Sequence, residues 1–150
     1  MSEKTIRVLH VDDQHLWRST VSDYLILFGR YEIVSAKSGE EALHLLRNTS
    51  FDIIISDYQM PEMDGIDLLI QIRRRGESIP LILFTGIKQE ELEQKARDSG
   101  VDFYVVKTGD PSVVFSDLSQ KIQLAVARSD TVQELKKYQK HHISSPSAPS

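Results

Sequence analysis

Five short apolar runs alternate with amphipathic stretches along this chain. Ile6-Arg7-Val8-Leu9-His10-Val11, Tyr31-Glu32-Ile33-Val34-Ser35-Ala36, Phe51-Asp52-Ile53-Ile54-Ile55-Ser56, Pro80-Leu81-Ile82-Leu83-Phe84 and Phe103-Tyr104-Val105-Val106 are rich in branched residues and bounded by turn or helix signals. Runs of this kind are expected of buried parallel strands. After the first, Leu16, Val21, Tyr24, Leu25 and Phe28 fall at roughly helical spacing, and Gly29 follows as a stop. Ser38 is placed to cap a second helix, with Glu41 completing a capping-box pattern and Ala42, Leu43, Leu45 and Leu46 as its core stripe. A third helix is predicted from about Ile66 to Arg75, after Asp64-Gly65, and a charged fourth from Gln89 to Ser99, ended by Gly100. Asp110-Pro111 opens a long last helix on which Val114, Leu118, Ile122 and Ala125 repeat at fours. Five such units predict a doubly wound α/β domain, three layers deep, over residues 4–128.

Residues 129–150 read differently. Val132, Leu135 and Tyr138 would prolong the last helix, whereas Ser129-Asp130-Thr131 would weaken it; continuation is the favoured expectation. Ser144-Ser145-Pro146-Ser147-Ala148-Pro149-Ser150 has the composition of a disordered tail, and His141-His142 is expected to belong to it.

The polar residues that close the runs carry the candidate chemistry. Asp12-Asp13 follow the first, Asp57 the third, Thr85 the fourth and Lys107 the fifth. Open parallel sheets bind ligands at the carboxyl ends of their strands, so these groups should converge. Each alone has an ordinary explanation as a cap, a turn residue or a solvated lysine. Placed together on four strand ends, they call for a function. Three clustered carboxylates repel one another and invite a cation; an all-oxygen donor set suits a hard ion, Mg²⁺ before Ca²⁺. With Lys107 beside it, such a pocket also suits a phosphoryl group, and a carboxylate can act as nucleophile to form an acyl phosphate. Asp57 stands alone at its strand end and is the natural nucleophile, while the Asp12-Asp13 pair can hold metal.

Composition narrows the setting. With 40% apolar and 27% charged residues, the chain is an ordinary globule. It has no cysteine, which excludes disulfides, a thiolate nucleophile and cysteine-ligated metal. There is no signal-peptide pattern after Met1 and no apolar stretch of membrane-spanning length, so a cytoplasmic address without membrane insertion is expected. A net charge of −4 and the lack of a basic stripe argue against DNA.

Val11-Asp12-Asp13, the stretch Ile55-Ser56-Asp57-Tyr58-Gln59-Met60-Pro61-Glu62-Met63-Asp64-Gly65, Phe84-Thr85-Gly86 and Tyr104-Val105-Val106-Lys107 resemble the receiver domains of two-component response regulators. The ending Asp-Phe-Tyr-Val-Val-Lys-Thr-Gly-Asp-Pro is most similar to receivers attached to archaeal sensor kinases. The resemblance implies strand order 2-1-3-4-5. It also implies that Asp57 accepts a phosphoryl group from a histidine kinase or phosphotransfer protein, with Mg²⁺ held by Asp12, Asp13, Asp57 and the backbone carbonyl of Gln59. Lys107 and Thr85 would contact the phosphoryl oxygens, and Tyr104 would swing inward as Thr85 moves, altering a partner surface around the fourth and fifth helices. On this reading the chain is a self-catalysing phosphoacceptor with slow autodephosphorylation, not an enzyme acting on other substrates. Two departures stand out: Gly86 occupies a place usually held by Ala, and Thr108-Gly109 follows the lysine where a cis-proline is usual, so a different loop is expected there.

Two other classes fit the sequence less well. A haloacid-dehalogenase-type phosphatase needs Asp-x-Asp after the first strand, and here the motif aspartate is on the third. A flavodoxin-like flavin binder needs a Ser/Thr/Gly-rich loop after strand one, which is missing. Residues 129–150 are too few for a DNA-binding domain, so output is expected through protein contact: a downstream partner, a second copy forming a homodimer, or the rest of a larger kinase.

Overall fold

The computed structural model describes residues 4–142. Strands β1 (Ile6–Val11), β2 (Tyr31–Ala36), β3 (Ile53–Ser56), β4 (Leu81–Thr85) and β5 (Phe103–Val106) alternate with helices α1 (His15–Leu25), α2 (Gly39–Asn48), α3 (Gly65–Arg74), α4 (Glu90–Ser99) and α5 (Pro111–His142). All strands pair in parallel, in the order β2-β1-β3-β4-β5. This is the flavodoxin-like sheet that the alternation and the resemblance implied.

Each central strand is apolar on both faces because each face is covered by helices. Leu9, Val11, Ile54, Leu81 and Leu83 pack beneath Ala42 and Leu43 of α2, Leu68, Leu69 and Ile72 of α3, and Leu92 and Ala96 of α4. The alternate residues Val8, Ile53, Ile55, Ile82, Phe84 and Val105 meet Val21 and Leu25 of α1 and Val114, Phe115, Leu118, Ile122 and Ala125 of α5. The two-residue period of a strand thus divides one apolar run between two cores.

Local chemistry sets several helix ends. Ser38 accepts from the Glu41 amide, but the Glu41 carboxylate accepts from Lys37 N at 2.8 Å, one residue before the expected reciprocal partner. A complete capping box lies instead at α3, where Asp64 and Asp67 each accept from the other's amide. Gly100 ends α4 with φ 98°, a left-handed turn that glycine adopts without steric cost.

Two expectations shift, and the favoured continuation of the last helix holds. Leu16 is 73% exposed. Its five-residue spacing to Val21 turns it about 140° off the buried face at 3.6 residues per turn, and Trp17 packs there instead. The helix α5 passes unbroken through Ser129-Asp130-Thr131, and the Thr131 hydroxyl donates to Ala127 O at 3.0 Å within it. It extends over 32 residues, about 48 Å at 1.5 Å each, and leaves Val132, Leu135 and Tyr138 exposed along the extension. His141 and His142 therefore end a helix rather than belong to a flexible tail. The serine- and proline-rich stretch from Ser144 onward lies outside the described residues.

Candidate functional site

The sheet hydrogen bonding runs one residue past each strand and locks the polar closers side by side. Asp12 N donates to Ala36 O at 3.0 Å, Asp57 N to Val11 O at 2.9 Å and Lys107 N to Thr85 O at 2.8 Å. Parallel pairing thus aligns the ends of β1, β3, β4 and β5, and the side chains there have little choice but to meet. Carboxylate oxygens of Asp12, Asp13 and Asp57 all lie within 4.8 Å of one another. Asp12 is fully buried, Asp57 nearly so, and Asp13 is exposed at the mouth.

Lys107 enters from β5. Its ammonium is 2.7 Å from Asp12 Oδ2 and 3.5 Å from Asp57 Oδ2, and the side chain is 5% exposed. Behind it lie the Trp17 ring, 4.5 Å from the nitrogen to its centroid, and the Phe84 ring at 5.8 Å. Every other oxygen of the two buried aspartates has work. Asp12 Oδ1 accepts from Gln14 N at 2.9 Å and opens α1, while Arg18 Nη1 donates to Asp12 O at 2.8 Å. Asp57 Oδ1 accepts from Tyr58 N at 2.8 Å.

Burial pushes the Asp57 carboxyl above its ordinary value, and the Asp12 charge adds to this; Lys107, the Tyr58 amide and the Thr85 hydroxyl pull the other way. Three carboxylates and one ammonium sum to −2, which one divalent cation would neutralise. All the donors are oxygens, and that fits a hard ion such as Mg²⁺. The cluster can therefore hold a metal while Lys107 stands ready beside the lone carboxylate of Asp57.

Gly65 brings the β3–α3 loop close. Its amide donates to Tyr58 O at 2.8 Å, and a Cβ there would lie 2.4 Å from Asp57 O and 2.6 Å from Leu83 Cδ2. Thr85 is buried, and its hydroxyl accepts from Ile87 N at 3.4 Å. Tyr104 donates to Ile87 O at 2.5 Å. Thr85 and Tyr104 thus grip the same residue of the β4–α4 loop, one at its amide and the other at its carbonyl.

A sequence profile described as "Response regulator receiver domain" matches residues 8–119. The chain belongs to that family. It is 37% identical over 123 residues to the transcriptional regulatory protein PdtaR of Mycobacterium tuberculosis, covering 81% of this chain and 57% of the relative. It is 34% identical over 105 residues to the response regulator protein VraR of Staphylococcus aureus, covering 69% and 50%. The receiver thus spans about half the length of these curated relatives. Among solved structures it is similar to chemotaxis response regulator CheY4 of Vibrio cholerae, at 29% identity and a TM-score of 0.70, covering 79% of this chain and 99% of that one. A receiver domain protein from Clostridium thermocellum superposes with a TM-score of 0.74 at 26% identity, covering 85% and 98%. This is a receiver of the two-component type; neither the phosphatase nor the flavin-binding family is the one matched.

The receiver brings together Asp12, Asp13, Asp57, Thr85 and Lys107 as expected. Gln59 lies exposed in the loop after Asp57, and Tyr104 is half-buried against the α2–α3–α4 core. At Gly86 a Cβ would meet nothing within 4 Å, so the mouth is open there. No cis peptide occurs among the described residues; instead Gly109, at φ 122°, turns the chain from Lys107 toward the Asp110 cap of α5. His15 and most of α4 face solvent, and no described helix is long and apolar enough to cross a membrane.

Two neighbours of the site escaped the sequence reading. His10 is fully buried, neither ring nitrogen has a hydrogen-bond partner among the described residues, and burial with the charges of Lys107 and Arg18 lowers it to about 3. Its position two residues before Asp12, on the same strand face, was the available signal. Arg18 anchors the β1–α1 turn, one residue beyond the Trp17 that covers Lys107.

Proposed function

We propose that this receiver is a phosphoacceptor whose Asp57 takes a phosphoryl group from a histidine kinase or phosphotransfer protein. The reading rests on one observation: three carboxylates within 4.8 Å of one another and a buried ammonium 2.7 Å from one of them, at the ends of adjacent parallel strands. An Asp57 oxygen attacks phosphorus, the phosphorus–nitrogen bond to the donor imidazole breaks, and an acyl phosphate remains. Asp12, Asp13, Asp57 and the Gln59 carbonyl would hold Mg²⁺, which when bound would supply charge neutralisation for the oxygens in transfer. Lys107 turns from Asp12 toward those oxygens, and the Thr85 hydroxyl donates to another. The protein catalyses its own modification and slow hydrolysis and turns over no other substrate.

The same geometry suggests how the signal leaves. Once the Thr85 hydroxyl turns to the phosphoryl group, Ile87 N loses its partner and the β4–α4 loop loosens. Tyr104, bonded to the same residue, follows inward. The surface of α4 and α5 changes, and a protein partner reads it. We assign the receiver a cytoplasmic place and an output by protein contact, not by DNA binding.

Incubation with acetyl phosphate and Mg²⁺ should add one acid-labile phosphoryl group, absent from Asp57→Ala. Equal labelling of that variant would refute the assignment.

A further inference from the structure

The Asp12 carboxylate has two claimants. Its Oδ2 is the short partner of the Lys107 ammonium, at 2.7 Å, and the group belongs to the carboxylate cluster that would hold a divalent cation. A cation drawing on Asp12 therefore weakens the one short hydrogen bond of an ammonium that is 5% exposed. A buried ammonium stripped of its partner is strongly disfavoured, so something else must receive it before the cation can bind well. The second carboxylate, Asp57, whose Oδ2 lies 3.5 Å from the ammonium, belongs to the same cluster. What remains is aromatic. The Trp17 ring lies 4.5 Å from the ammonium, and Phe84, 5.8 Å away, meets Trp17 edge-on with centroids 5.8 Å apart. Phe84 rests in turn on Phe115 of α5, so the tryptophan ring is braced from behind. Indole presents the strongest cation-binding face of the aromatic side chains, and the contact gains strength when desolvated.

We propose that Trp17 is a positioning residue: its ring face is the seat to which the Lys107 ammonium yields when a divalent cation claims Asp12. The seat competes for no carboxylate oxygen. It keeps the ammonium inside the site, within reach of an incoming phosphoryl group, and makes release of Asp12 less costly. Trp17 therefore acts through Lys107 and touches no reacting atom. The proposal rests on the phosphoacceptor reading above and adds to it an interaction outside the five polar residues.

The test is a double-mutant cycle on Mg²⁺ affinity in the full chain, measured by calorimetry with no phosphoryl donor present. Trp17→Leu should weaken Mg²⁺ binding about fivefold, the scale of a partly desolvated cation–π contact. Trp17→Phe, which keeps a π-face, should recover most of that loss. In a Lys107→Met background, Trp17→Leu should change the affinity no further. The tryptophan is the chain's only one, and an ammonium held on excited indole quenches it. Emission of the metal-free protein should therefore rise in Lys107→Met and stay unchanged in Lys121→Met. If Trp17→Leu fails to fold, Trp17→Met, whose unbranched flexible chain adapts to an irregular gap, takes its place in the cycle. An affinity unchanged by the substitution, a loss that persists in the Lys107→Met background, or a Trp17→Phe variant as impaired as Trp17→Leu would overturn the proposal. An Mg²⁺ affinity that Asp13→Ala leaves equal to wild type would instead overturn the phosphoacceptor reading itself.

Discussion

Replacing His10 by Val should remove much of the receiver's sensitivity to mild acid. The imidazole lies on β1, fully buried, two residues before Asp12, with the charges of Lys107 and Arg18 nearby. Burial first, and those charges second, lower it from 6.5 to about 3. The folded protein therefore holds it neutral across a range in which the unfolded chain binds a proton. A folded value below the unfolded one means that stability is greatest above the unfolded value of 6.5 and falls as pH drops toward 3. At about pH 7.5 the histidine contributes almost nothing to this pH dependence. At about pH 5 the unfolded state gains roughly 2 kcal/mol from protonating it, because the folded histidine is still neutral there. Valine suits a β-strand and carries no proton. The stability difference between variant and wild type should therefore widen by about 2 kcal/mol between those two pH values. Valine should also be favoured by about 1 kcal/mol at neutral pH, since it leaves no imidazole nitrogen without a partner. Urea unfolding followed by far-ultraviolet circular dichroism reads both effects. With a slope of about 2 kcal/mol per molar, the acid effect moves the midpoint by about 1 M. Parallel pH profiles for the two proteins would refute the argument and show that the imidazole finds a proton acceptor in the folded state.

Other outcomes follow from the same geometry. Asp57→Asn should stabilise the metal-free protein at neutral pH, because it removes a desolvated carboxylate. Burial holds this carboxyl above its ordinary 3.8, so wild-type stability falls as pH rises through the elevated value, and the advantage of the variant should vanish below about pH 3; a flat difference in thermal denaturation would contradict this. Gly65→Ala should cost about 2 kcal/mol or more, because its methyl group would press on Asp57 O; it should also slow phosphorylation, and an unaltered melting temperature would count against the close approach. Thr85→Ala should still accept a phosphoryl group but lose the response at Tyr104 and Ile87; phosphorylation-induced NMR shifts identical to wild type at those residues would dismiss the relay.

The strands were plain in the sequence because a buried parallel strand is a short branched run, and their polar closers were plain because topology leaves the strand ends no other place to converge. Tertiary facts were harder to see. Leu16 looked like part of a helical stripe until its angle to Val21 excluded it, and Trp17 beside it proved to face Lys107. His10 read as one more member of a strand, since a run of letters does not show that an imidazole lies among apolar side chains without a partner. Weak local propensity at Ser129-Asp130-Thr131 did not break the helix, because the propensity of three residues is a weak prior that context overrides. The clasp of Thr85 and Tyr104 on Ile87 depends on a loop conformation that no spacing rule encodes.

The central claim is that the carboxylate closing β3 is the one that carries phosphate. Phosphorylating the receiver with acetyl phosphate and Mg²⁺, then reducing it with borotritide, converts an aspartyl phosphate into labelled homoserine at the same position. Peptide sequencing should place all of the label at Asp57. Label at Asp12 or Asp13, or no reducible acyl phosphate at all, would contradict the account.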